Sequence, residues 1–96
     1  MRREELLRIL AQFCAARRGE FGIVRLGVFG SAARDELAEL SDVDIVVELA
    51  QPDLLHMVGI KQELEALLQR PVDVVRYRER MNPFLKKRID AEAVYV

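Results

Sequence analysis

Apolar residues recur at helical spacing over residues 3–18, where Leu6, Leu7, Ile9, Leu10, Phe13 and Cys14 stand with charges between them. The pattern predicts an amphipathic helix closed by Gly19. The run Ile23-Val24-Arg25-Leu26-Gly27-Val28-Phe29 then predicts a strand ending at Gly30-Ser31, with Val24, Leu26 and Val28 on one face. Residues 32–38 predict a short helix. A second strand follows in Val43-Asp44-Ile45-Val46-Val47-Glu48-Leu49. It is apolar on both faces apart from its aspartates, as a central strand would be. Pro52 and Asp53 open a helix over 53–69 with an apolar stripe of Met57, Ile60, Leu64, Leu67 and Leu68. Pro71 stops it, because the residue before a proline avoids helical geometry. Val72-Asp73-Val74-Val75-Arg76-Tyr77 reads as a third strand. Asn82-Pro83 starts a helix carrying Phe84, Leu85 and Ile89: a capping side chain precedes a proline whose missing N–H costs nothing there. Val94, Tyr95 and Val96 suit a short edge strand. The order α-β-α-β-α-β-α-β implies a fold of the α/β (α+β) class, a small mixed sheet with helices packed against it, in one domain spanning 1–96.

Composition narrows the function more than the fold. The 96 residues are 51% hydrophobic and 32% charged, with a formal net charge of −1. So even a balance argues against direct nucleic-acid binding, which leaves a basic excess. No apolar stretch approaches the roughly 20 residues of a membrane span. The opening Met1-Arg2-Arg3-Glu4-Glu5 runs into the helical pattern without a cleavage region, which points to a cytoplasmic protein. Cys14 and His56 are the single residues of their kinds, so neither a disulfide nor a zinc site is expected. Cys14 reads as a small buried hydrophobe and His56 as an outward-facing helix residue. Arg76, Arg78, Arg80, Lys86, Lys87 and Arg88 make the last third locally basic, which reads as a solvated face or a docking surface for a partner.

The candidate chemistry lies between the first two strands. Gly30-Ser31 is followed by ten residues and then Asp42-Val43-Asp44. Residues two apart on a strand share a face, so Asp42 and Asp44 present adjacent carboxylates. Carboxylates so close resist joint ionisation unless a cation intervenes, and Mg²⁺ takes such oxygen ligands together with substrate phosphates. Asp73 stands in another apolar strand, where an isolated charge is costly. If that strand lies beside the second, three carboxylates converge, enough for two metal ions. Gly30 lets the backbone approach a ligand, turn amides suit phosphate oxygens, and Ser31 adds a hydroxyl. Arg34, just past this turn, is in reach of phosphate or simply a surface arginine. The Gly-x4-Gly-Lys-Ser/Thr phosphate loop and the dinucleotide-binding glycine pattern are both missing.

Gly30-Ser31, ten residues, then Asp42-x-Asp44 resembles the pattern of the nucleotidyltransferases of the DNA polymerase β superfamily, and the short length resembles its minimal nucleotidyltransferases. The resemblance covers nearly the whole chain. It implies a polymerase β-like core in which Gly30 and Ser31 grip the triphosphate of ATP. It further implies that Asp42 and Asp44 bind Mg²⁺ and that Asp73 is the third catalytic carboxylate. Where the family has Ala-Arg-Gly, this chain has Ala33-Arg34-Asp35, which affects the local turn more than the chemistry. Family members pair as antitoxins with HEPN-domain toxins, which implies transfer of AMP to a toxin tyrosine. Two alternatives stand beside this: a catalytically silent antitoxin that acts by binding, and a small-molecule nucleotidyltransferase that borrows its substrate surface from a partner chain. Both a homodimer and a hetero-oligomer are compatible with the sequence. So small a core encloses little of a nucleotide, so modest affinity is expected without a partner.

Overall fold

The computed structural model describes residues 1–38 and 41–96. Helix α1 (Arg3–Phe21) leads into β1 (Ile23–Phe29) and β2 (Val43–Leu49). Then come α2 (Leu54–Leu68), β3 (Val72–Arg76), α3 (Pro83–Glu92) and β4 (Val94–Tyr95). The strands form one mixed sheet in the order β3-β2-β1-β4. β1 runs antiparallel to β2 and to β4, and β2 runs parallel to β3 through the α2 crossover. The α/β class, the mixed sheet and the central place of the aspartate-bearing strand match the expectation.

Local chemistry sets the helix ends. Asp53 caps α2 by accepting from the amides of Leu55 and His56, and Asn82 caps α3 by accepting from those of Phe84 and Leu85. Helix α1 runs past Gly19 and ends at Gly22, whose φ of 67° is left-handed and whose N–H donates to the Arg18 carbonyl. The expected stop at Gly19 is therefore displaced by a turn. The short helix expected over 32–38 does not form. Gly30 and Asp35 both adopt positive φ, 70° and 58°, which winds residues 30–35 into consecutive turns. The order is thus α-β-β-α-β-α-β.

The two sheet faces are covered unequally. Leu26, Val28, Val43, Ile45, Val47 and Val72 face α1 and α2, where Leu6, Leu10, Phe13, Ile60 and Leu64 complete the main core. Cys14 is buried there as a free thiol. A register shift near the start of β1 lets Ile23 enter this core and leaves Val24 46% exposed, so Val24 does not join Leu26 and Val28. Leu67 falls outside the α2 stripe, and His56 is half-buried with its ring edge against Phe21. The opposite face carries a smaller cluster in which Ile89 of α3 packs on Phe29 and Val46, with Val75, Tyr77 and Tyr95 around it. On that side the Arg25 guanidinium lies between the rings of Tyr77 and Tyr95, at 4.9 and 4.4 Å, and pairs with Glu48 at 2.8 Å. No described helix is long and apolar enough to cross a membrane.

Candidate active site

The carboxylates are placed by strand register. Asp44 lies opposite Asp73 in the parallel β2–β3 ladder and opposite Phe29 in the antiparallel β1–β2 ladder. Alternation puts Asp44 on the side of Val46 and Asp73 on the side of Val75, which is the α3 face. Asp42 lies one residue ahead of β2 and is exposed. The start of β3 is fastened to α2 from both sides of Val72: its N–H donates to Glu65 at 3.0 Å and its carbonyl accepts from Lys61 Nζ at 3.1 Å. Asp73 is therefore set by a held backbone.

The turn after β1 completes the arrangement. The Gly30 carbonyl accepts from the amides of Ala33 and Arg34, at 3.1 and 3.3 Å, and the Ser31 carbonyl from that of Glu36 at 2.8 Å. Ala32 and Ala33 are buried in the main core, which anchors the loop and leaves Ser31 partly exposed. Arg3 ties α1 to the same loop, its amide donating to Asp35 and its guanidinium to the Ala33 carbonyl. A Cβ on Gly30 would lie 2.5 Å from Asp44 Oδ2 and 3.0 Å from Arg88 Nη2. The left-handed φ of 70° favours glycine here, and a Cβ would push aside the ends of the Asp44 and Arg88 side chains.

Electrostatics bind these parts together. Burial raises the proton affinity of Asp44 above the ordinary aspartate value; Arg88 opposes this, while Asp73, Asp42 and Glu92 add to it. The charges of both Asp42 and Asp73 thus reach Asp44. Among the described residues no three Asp, Glu, His or Cys side chains are gathered closely enough to hold a metal ion. The donor set is nonetheless entirely carboxylate oxygen, and the partly desolvated Asp44 beside two further anions fits a hard cation such as Mg²⁺. Together with the left-handed glycine turn beside them, these carboxylates suit phosphoryl transfer to an acceptor that approaches from the exposed side of Asp42 and Asp73. The described grooves lie elsewhere; one of about 280 Å³ runs between α1 and α2, lined by Ile9, Phe13, Arg17, Glu63 and Leu67 among others.

Residues 7–96 match the family model of the nucleotidyltransferase domain. The chain belongs to that family. This nucleotidyltransferase is 39% identical over 94 residues to the protein adenylyltransferase MntA of Thermococcus cleftensis, covering 97% of this chain and 94% of that one. It is 47% identical over 76 residues to a candidate protein adenylyltransferase of Methanocaldococcus jannaschii, covering 78% and 81%. A solved structure of a candidate minimal nucleotidyltransferase superposes with a TM-score of 0.80 at 36% identity, covering 98% of this chain and 95% of that one. A toxin–antitoxin structure with AMP-PNP shares the fold, with a TM-score of 0.74 at 22% identity and coverage of 88% and 69%. The nucleotidyltransferase also carries two residues near the turn that the sequence pattern does not single out. Arg88 reads there as one of several solvated basic residues, and Glu92 carries no signal beyond its i, i+4 spacing from Arg88 on α3.

Proposed function

We propose that this nucleotidyltransferase transfers AMP from ATP to a tyrosine hydroxyl of a HEPN-domain toxin and so serves as its antitoxin in the cytoplasm. The observation that carries the reading is the pairing of Asp44 with Asp73 at one register position, beside the left-handed Gly30 turn. The relatives named as protein adenylyltransferases support AMP as the transferred group, and the toxin–antitoxin neighbour with AMP-PNP supports the kind of partner.

In this reading Gly30, Ser31 and Arg34 hold the β- and γ-phosphates of ATP. Asp42 and Asp44 hold Mg²⁺, and Asp73 joins them as the third ligand. Two such ions, when bound, neutralise the charge that develops on the transferring phosphoryl group. The acceptor oxygen bonds to the α-phosphorus, the bond from that phosphorus to the β-phosphate oxygen breaks, and pyrophosphate leaves with the electron pair. The acceptor's proton passes to Asp73, which is exposed and so can face an incoming hydroxyl. The open surface over the carboxylates favours an acceptor carried on a second protein, which would supply the missing wall and form a hetero-oligomer.

The test is incubation of the purified chain with α-labelled ATP and Mg²⁺, with and without the protein encoded beside its gene. Label on the neighbouring protein, lost in Asp42→Ala/Asp44→Ala, is the expected result. A tight complex with no label from any nucleotide would replace catalysis by occlusion.

A further inference from the structure

We propose that Gly30, Arg34 and Arg88 form one receptor for the terminal phosphates of the nucleotide, and that Glu92 is the internal anion that fills it until a polyphosphate displaces it. The inference rests on the nucleotidyltransferase reading and adds to it a binding residue, Arg88, and a displaceable occupant.

Three groups converge on the Glu92 carboxylate. The Gly30 amide donates to Oε2 at 3.1 Å, the Arg34 Nη1 donates to Oε1 at 3.2 Å, and the Arg88 Nε lies 3.5 Å from Oε2. A simple ion pair along α3 would account for Arg88 alone. It does not account for Arg34 or the Gly30 amide, which come from a loop about sixty residues earlier in the chain (58 between Arg34 and Glu92). An amide at a left-handed turn flanked by two guanidinium groups is an oxyanion receptor. Glu92 presents to it two oxygens on one centre, much as a phosphate would.

The exchange has a physical direction. The side chains of Arg34 and Arg88 are about half exposed, 45% and 49%, so an incoming anion can reach them; Arg34 also lies 3.6 Å from the exposed Glu36 carboxylate, which does not touch the Gly30 amide or Arg88. Each can bind a phosphate through two parallel hydrogen bonds, whereas one carboxylate divides its two oxygens among three donors. A triphosphate or pyrophosphate brings several negative charges against the single charge of Glu92, so it displaces the side chain. A lone monophosphate brings little advantage. Glu92 thereby sets a threshold that favours ATP and pyrophosphate over AMP. It also shields Arg88 from stray anions, with the Arg88 guanidinium steadied 5.5 Å above the Phe29 ring.

Calorimetric titration of inorganic tripolyphosphate with Mg²⁺ into the purified chain tests this. Glu92→Gln should bind about tenfold tighter and Arg88→Gln about tenfold weaker, each by roughly one charged hydrogen-bonding partner. The gain from Glu92→Gln should shrink in the double variant, since the two residues act through one contact. Unchanged or weaker binding by a folded Glu92→Gln, with a lowered melting temperature, would make Glu92 a structural clip and overturn the proposal. If Glu92→Gln loses its circular dichroism spectrum, Arg34→Gln decides: several-fold weaker binding supports the receptor and no change overturns it. The labelled-ATP assay is read separately. Tighter polyphosphate binding by Glu92→Gln, together with no AMP transfer by the wild-type chain to any neighbouring protein, would leave the receptor standing and remove the AMP-transfer reading.

Discussion

Asp44 shares one sheet face with Asp73 and lies near Asp42, and burial adds to their mutual repulsion. Its carboxyl holds a proton more tightly in the folded protein than in the unfolded chain, whose ordinary value is 3.8. The sign follows from linkage: this group's contribution to stability is complete below the unfolded value and is lost as the pH rises through the raised folded value. At pH 7 the ionised Asp44 therefore works against the fold. Asp44→Asn should melt above the wild type at pH 7, with the gap closing as the pH falls towards 3.8, while AMP transfer is lost. A lower melting temperature for the variant at pH 7 would contradict this. Gly30→Ala tests the other half of the site. A left-handed φ costs an alanine about 1–2 kcal/mol, and its Cβ would press on Asp44. Transfer should fall by about tenfold or more through displaced geometry, as read by initial rates. Both residues are legible in the sequence, because a carboxylate in an apolar strand and a glycine at a strand end are conspicuous locally. Arg88 and Glu92 are not. Their partners, the Gly30 amide and Arg34, are brought to them only by tertiary folding, and along the chain they look like an ordinary solvated helix face.

At the scale of elements, the end of α1 shows what periodicity can and cannot place. The sequence pattern stops the helix at Gly19, and backbone conformation moves the stop to Gly22. Gly22 is left-handed and Gly19 is helical, and a Cβ on either meets nothing within 4 Å. Gly22→Ala should therefore destabilise by about 1 kcal/mol, while Gly19→Ala should stabilise by about 0.5–1 kcal/mol. Urea denaturation of the pair reads both signs, and equal signs would reject the assignment. The missing helix over 32–38 has a similar cause. Left-handed Gly30 and Asp35 bound the segment, and Ala32 and Ala33, good helix formers by type, serve instead as anchors into the core. Val24 departs from its expected face because a strand irregularity shifts alternation without a sequence mark. The capped starts of α2 and α3 are readable because Asp53 and Asn82 act on amides two and three residues away.

For the whole molecule, the sheet divides labour between its faces. The large core beneath α1 and α2 carries most of the buried side chains, and the α3 face carries the carboxylates, Arg88 and Glu92. Ile60 and Ile89 are both fully buried, one on each side. Truncation of either to alanine should cost about 2–5 kcal/mol. Their functional effects should differ. At a temperature where both variants remain folded, Ile89→Ala should weaken polyphosphate binding by loosening α3, and Ile60→Ala should leave it near the wild-type value. Calorimetry on the two variants measures this, and equal losses would argue that the faces are not separable.

The Arg25 stack between Tyr77 and Tyr95 has an optical consequence. The chain has no tryptophan and only these two tyrosines, so its near-ultraviolet emission arises almost wholly on the α3 side of the sheet. The protein carries a built-in, label-free fluorophore pair on the sheet face that bears the candidate site, while the side covered by α1 and α2 stays dark.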